Sequence, residues 1–319
     1  MRLITFTVPG DPRPRLGAHR GAQVVDLAAA PGWTDGWARP PRDLVELLAL
    51  GEVGLARAAA AVARAEECRS GCHPAAAARL LAPLLRPPKV IAVGRNYRGH
   101  VREAKVKQPD MPKLFAKYAA TIVGPGDAII KPALTDEVDF EAELAVVVGR
   151  PGRAIQRGDA LSHIAGYTVA NDVSARDIQF HDEQLTLAKN FRTFAPMGPW
   201  LVTRDEVADP GELDIRLWLN GNLMQDSNTR DLVFDIPHLV AFISAAMDLE
   251  AGDVILTGTP SGVGYTRTPP VFLRPGDTVR IEVQGVGVLE NPVAAQEPAI
   301  PFPGAGVGQV AAAGPQAGG

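Results

Sequence analysis

Cysteine is nearly absent, with two residues in 319, too few for a disulfide framework. Cys68 and Cys72, followed by His73, supply half of a zinc site, but no second pair completes it, and loop thiols are the simpler reading. No block of Lys or Arg stands out and the net charge is only -4, which argues against nucleic acid and anionic membrane as partners. No apolar run approaches the roughly 20 residues needed to cross a bilayer. The opening Met1 to Val8 is too short for a signal-peptide core, so a cytoplasmic location is the default expectation. The one glycine-rich loop after an apolar strand, Asp253 to Gly264, lacks both common phosphate-binding spacings, which argues against a nucleotide ligand. Its backbone N–H groups remain suited to a carboxylate or oxyanion. No internal repeat of solenoid length is present.

What remains is ordinary globular material: 46% hydrophobic and 21% charged residues, ample for a sizeable core. The length exceeds that of a usual single domain, so a small domain at residues 1–85 and a larger one at 86–293 are expected. Residues 294–319 are rich in Ala, Gly and Pro without periodicity, which suggests a flexible tail. In the first segment, short alternating runs are broken by Pro9, Pro12, Pro14 and Pro31, and Asp43 stands as an N-cap before one or two helices interrupted near Gly51 and Gly54. Further on, Asn220-Gly221 follows a strictly alternating strand and predicts a hairpin. Asp235-Ile236-Pro237 predicts a capped helix whose stripe of Ile236, Leu239, Val240 and Ile243 is core.

The stretch with most chemistry is Asp139-Phe140-Glu141-Ala142-Glu143-Leu144, running into Ala145-Val146-Val147-Val148. Read as one strand, it puts Asp139, Glu141 and Glu143 on one face. Carboxylates two apart lie roughly 7 Å from one another, near enough to hold one hard cation. An acidic edge strand facing water is the competing reading, and the five apolar residues that follow argue against an edge. His100 and Glu103 lie three apart on a short predicted helix, either as a casual surface ion pair or as an imidazole base oriented by a carboxylate. Gly99 weakens that helix, and Pro109 and Pro112 end it, which suits a lid. Asp172 closes an apolar alternation at Asn171-Asp172, a usual place for a ligand, but Asn-Asp is equally a turn former and on this pair alone the turn is the favoured reading. Lys189 sits in a polar stretch where a lysine is as readily exposed as functional.

Taken in order, Gly94-Arg95-Asn96-Tyr97 with His100 and Glu103, the Asp139–Leu144 stretch, Asn171-Asp172-Val173-Ser174-Ala175-Arg176-Asp177-Ile178-Gln179, Lys189-Asn190-Phe191 and Thr257-Gly258-Thr259-Pro260-Ser261-Gly262-Val263-Gly264 closely resemble the fumarylacetoacetate hydrolase family. The resemblance covers about residues 88–292. It implies an α+β, predominantly β fold: a mixed β-sandwich roll with a small N-terminal α+β domain, usually dimeric. It implies Mg²⁺ (or Mn²⁺, sometimes Ca²⁺) held by Glu141, Glu143 and Asp172. His100 and Glu103 would form the base, and Lys189 would face a developing oxyanion. Arg95, Tyr97, Arg176, Gln179 and Thr259 would contact substrate or metal. Ala188 departs from the pattern, standing where glycine commonly precedes the lysine.

Members of that family cleave diketo acids, decarboxylate oxaloacetate, hydrate 2-oxo-alkenoates or isomerise hydroxymuconates. All these reactions pass through an enolate of a 2-oxo acid. The expectation is therefore a metal-dependent hydrolase of a carbon–carbon bond in an acylpyruvate-like or other diketo acid. A lyase or isomerase with the same ligands is one alternative, and a non-catalytic metal-stabilised binding protein another.

Overall fold

The computed structural model describes residues 1–181 and 184–296. Strand predominates, in a twelve-stranded and a five-stranded sheet with a two-stranded ribbon. The large sheet runs in the order Cys72–Pro74, Gln23–Asp26, Asp11–Arg20, Arg2–Val8, Ala195–Thr203, Ile164–Asn171, Ala142–Val148, Val254–Leu256, Val90–Gly94 and Lys113–Lys117. It is mixed, because Val254–Leu256 lies parallel to Val90–Gly94 while the strands on either side pair antiparallel.

Ala142–Val148 is the spine, buried along its whole length. Its alternation serves two cores rather than one core and solvent. Leu144, Val146 and Val148 pack with Ile215, Leu217 and Ile281 of the five-stranded sheet. Ala145 and Val147 join Leu44, Leu47, Leu48 and Ala58 of two N-terminal helices, Leu44–Ala49 and Gly51–Cys68. The acidic residues Glu141 and Glu143 lie at the strand's start, on the face that becomes Ala145 and Val147.

Local signals formed the elements they predict. Asp43 accepts from the Glu46 N–H at 2.8 Å, and Asp235 from the His238 N–H at 2.9 Å. Asn220-Gly221 joins Asp214–Leu219 to Asn222–Asn228. Longer-range expectations need correction. The acidic stretch is not one strand: Val138–Asp139 pairs with Ser174–Ala175, and the spine starts only at Ala142. Ala294 and Ala295 extend the last strand, Gly287–Ala295, rather than opening the tail, and the tail residues 297–319 lie outside the described residues. Contacts among the described residues cross residue 85. Arg2 and Leu3 pair with Val202 and Leu201, and Leu3 and Leu27 share a core with Val147 and Leu256. A division there stands as a proposal about folding units.

Candidate active site

Strand register assembles the carboxylates. Ala142 opposes Asn171, so the next residues outward are Glu141 and Asp172, and the Asp172 N–H donates to the Glu141 carbonyl at 2.9 Å. Glu143 is one pair further in, opposite Ala170. Carboxylate oxygens of Glu141, Glu143 and Asp172 all lie within 4.8 Å of one another, and all three residues are buried. They line a cavity of about 280 Å³ together with Arg95, His100, Arg176, Gln179, Lys189 and Thr259. Of the eleven expected site residues, only Glu103 and Tyr97 lie off the cavity wall. Glu103 contacts it through His100, whose Nδ1 is 3.3 Å from its Oε2. Tyr97 is fully buried in the main core, its hydroxyl without a hydrogen-bond partner among the described residues.

The charges are tightly interlocked. Lys189 Nζ donates to Glu141 Oε2 and to Asp172 Oδ2, both at 2.8 Å. Lys117 Nζ donates to Asp172 Oδ1 at 2.6 Å and to the Lys189 carbonyl at 2.5 Å. Arg176 Nε donates to Asp139 Oδ2 at 2.8 Å and its Nη1 to Gln179 Oε1 at 2.9 Å. Arg176 Nη2 stands 2.7 Å from Glu141 Oε1, close enough for an ion pair though not aligned as a hydrogen bond. Burial works against the ionised Glu141, yet Lys189 and Arg176 outweigh it and hold the carboxyl well below the usual range. Glu143 goes the other way: burial, then the charges of Asp172 and Glu141, push it well above. Among the described residues no cation pairs with Glu143.

That imbalance is what a hard cation would relieve. Four buried carboxylates, including Asp139, face three buried cations, and the uncompensated one belongs to an all-oxygen set suited to Mg²⁺ or Mn²⁺. The residues present therefore fit a divalent ion.

Asp139 is not part of that set. It accepts from Arg176 and from the Gly264 and Tyr265 N–H groups, at 2.7 and 3.1 Å. The glycine-rich loop does hold carboxylates, and they are the protein's own. The Gly258 N–H donates to Glu143 Oε2 at 2.7 Å, and the Gly262 N–H to Glu103 at 3.0 Å. The helix Arg98–Glu103 is tied further by its Gly99 N–H to Asp231 and by Arg98 to the Leu232 carbonyl.

Sequence reasoning missed Lys117 and Gln225. Gln225 accepts from the Ala142 N–H and donates to Thr259 Oγ1, both at 2.9 Å, bridging spine and loop. Lys117 carried one usable signal: in Lys113-Leu114-Phe115-Ala116-Lys117 it shares a strand face with Phe115, and a buried strand face with a lysine needs an acid nearby.

Comparison with known proteins agrees with this geometry. Residues 89–294 match the family model for the fumarylacetoacetate (FAA) hydrolase C-terminal domain. A mitochondrial oxaloacetate tautomerase of Bos taurus is 46% identical over 297 residues, 92% of this chain and 91% of that protein. A human counterpart is 43% identical over the same shares. Among solved structures, maleylpyruvate hydrolase from Sphingobium sp. SYK-6, in complex with manganese(II) and pyruvate, superposes with a TM-score of 0.75 at 34% identity, covering 93% of this chain and all of that one. A 5-carboxymethyl-2-hydroxymuconate delta-isomerase from Mycobacterium smegmatis does so with 0.70 at 38% identity and the same coverage. The cytoplasmic expectation is overturned: the bovine and human relatives are named as mitochondrial proteins, and the absence of a signal-peptide core said nothing about that compartment. The matched span, the coverage of whole relatives and the shared fold together place this chain in the fumarylacetoacetate hydrolase family.

Proposed function

We propose that this enzyme interconverts the keto and enol forms of oxaloacetate or a close 2-oxo dicarboxylate, using a divalent metal. The observation that carries the reading is one cavity lined by three clustered carboxylates and by His100, which Glu103 backs from behind, in a chain 46% identical to an oxaloacetate tautomerase. Glu141, Glu143 and Asp172 would hold Mg²⁺ or Mn²⁺, which when bound supplies Lewis-acid polarisation of the 2-oxo carbonyl.

The remaining work falls to side chains. Glu103 engages His100 Nδ1, fixing the ring and leaving Nε2 as the nitrogen that handles the substrate proton. His100 takes a proton from the carbon between the carbonyl and the distal carboxylate, then returns it to the oxygen, so the bond count balances without water or cleavage. The Lys189 ammonium, kept charged because Asp172 and Glu141 outweigh its burial, faces negative charge gathering on that oxygen. Thr259, held by Gln225, lines the same space.

Hydrolysis of a diketo acid, the first expectation from sequence, stands as the second reading, favoured by the likeness to maleylpyruvate hydrolase. It would use His100 on a water molecule instead of on carbon. The deciding experiment adds enol-oxaloacetate to Mg²⁺-supplemented protein and follows loss of enol absorbance, with acylpyruvate and pyruvate release run in parallel. Accelerated loss of the enol without diketone cleavage supports tautomerisation. Pyruvate release from acylpyruvate with enol decay at its spontaneous rate would replace it with hydrolysis.

A further inference from the structure

The strand Lys113–Lys117 presents Lys113, Phe115 and Lys117 on one face. Their exposure grades from rim to floor: Lys113 is exposed, Phe115 half-buried and Lys117 only 2% exposed. At the floor, Lys117 is committed to Asp172. At the rim, Lys113 lines the cavity and, among the described residues, has no ion pair or side-chain hydrogen bond. Its register partner on the neighbouring strand is Gly94. The residue after Gly94 is Arg95, which also lines the cavity, is exposed, and likewise has no ion pair or side-chain hydrogen bond among the described residues. Arg95 takes a left-handed backbone conformation, φ 54°, which few residues with a side chain adopt.

The cavity is therefore polarised. Its floor carries carboxylates for a cation, all but Glu143 paired with lysines or Arg176, and its rim carries two positive charges that have no ion pair among the described residues. A 2-oxo acid that chelates at the floor directs whatever follows its carbonyl carbon away from the floor. We propose that Arg95 and Lys113 form the subsite for a second carboxylate and so select 2-oxo dicarboxylates over monocarboxylic acids of the same length. The inference rests on reading the floor as a 2-oxo acid site. Charge-assisted hydrogen bonds supply the discrimination, and an acid ending in a methyl group leaves both cations to water.

Oxaloacetate and 2-oxobutyrate form a matched pair, alike except for carboxylate against methyl. Calorimetric titration of Mn²⁺-loaded protein with each, at low and high salt, gives a preference ratio independent of turnover. The wild type is expected to favour oxaloacetate by at least about tenfold. In R95N/K113M, where Asn tolerates the left-handed backbone and Met keeps the apolar stem, the ratio should fall to within about threefold of unity while 2-oxobutyrate binds as before. High salt should erode the wild-type ratio and leave that of the variant unmoved. A double variant that keeps the wild-type ratio, or loses both acids equally, overturns the subsite. Wild-type protein that binds neither acid overturns the 2-oxo acid reading itself, and the subsite with it.

Discussion

Lys117 Nζ lies 2.6 Å from Asp172 Oδ1, and both side chains are almost wholly buried. Burial pulls the lysine's pKa down, and only Asp172 and the other acids nearby support its charge. Truncating Lys117 leaves the buried Asp172 carboxylate with Lys189 as its one remaining cation among the described residues. K117M is therefore expected to lower metal-free stability by up to about 3–5 kcal/mol, and Mg²⁺ should restore more of it than in wild type, because the ion then replaces the positive charge Asp172 has lost. Thermal melts with chelator and with Mg²⁺ check both halves. A metal-free variant that melts like the wild type would show the pair to be dispensable.

Glu143 predicts effects of opposite sign. Its carboxyl is pushed up by burial and by Asp172 and Glu141, and among the described residues it has only the Gly258 N–H as a donor. E143Q removes a repelled carboxylate, so metal-free stability should hold or rise, while Mn²⁺ affinity falls at least about a hundredfold. Denaturant unfolding with chelator and Mn²⁺ titration measure the two separately. A variant that binds Mn²⁺ as tightly as the wild type would remove Glu143 from the ligand set.

Much of this site was legible from order along the chain, and little of it from local pattern. Caps at Asp43 and Asp235 and the turn at Asn220-Gly221 depend on neighbours within a few residues, so the sequence alone reveals them. Strand spacing suggests Glu141 and Glu143 as a cation-holding pair, and only the family resemblance adds Asp172 to them; their meeting depends on the Ala142–Asn171 register, a contact across 29 residues. A uniform strand through Phe140 misplaces Asp139. In the molecule the backbone leaves the ladder there, and the carboxylate turns to Arg176 and two loop amides. The motif implies a substrate contact for Tyr97, and the fold buries it in the core. Lys117 and Gln225 bind partners 55 and 83 residues away, which no window reveals.

His100→Ala should retain metal, since His100 belongs to no carboxylate pair of the trio, and lose about 10²- to 10⁴-fold in rate. Mn²⁺ titration beside enol-decay kinetics tests the split. An unchanged rate would take the imidazole out of the mechanism.

Glu103 adds a pH dependence. Burial acts to raise its pKa, but hydrogen bonds from His100 and from the Gly262 N–H outweigh that and hold it below the usual carboxylate range. A carboxyl lower in the folded than in the unfolded state contributes stability above its unfolded value, about 4.3, and loses it as pH falls through the folded value. E103Q should therefore be less stable than the wild type near neutral pH, with the gap closing below about pH 4. Urea unfolding across that range measures it, and a gap that widens toward acid would contradict the sign.

Gly258 links the loop to the metal ligands. Its φ of +102° lies where side chains are strained, and a Cβ there would stand 2.8 Å from Asn96 Cβ and 3.2 Å from the Val93 carbonyl. Asn96 cannot retreat, because its amide donates to the Thr257 and Phe234 carbonyls and its carbonyl accepts from the Phe234 N–H. The loop must move instead, taking with it the N–H that holds Glu143. G258A is expected to cost about 1–3 kcal/mol of stability and to weaken Mn²⁺ binding together with it, whereas E143Q weakens binding without that loss. Running the two variants through the same unfolding and titration series separates a misplaced ligand from a missing one. Full Mn²⁺ affinity in a destabilised G258A would show that Glu143 holds its position without the loop.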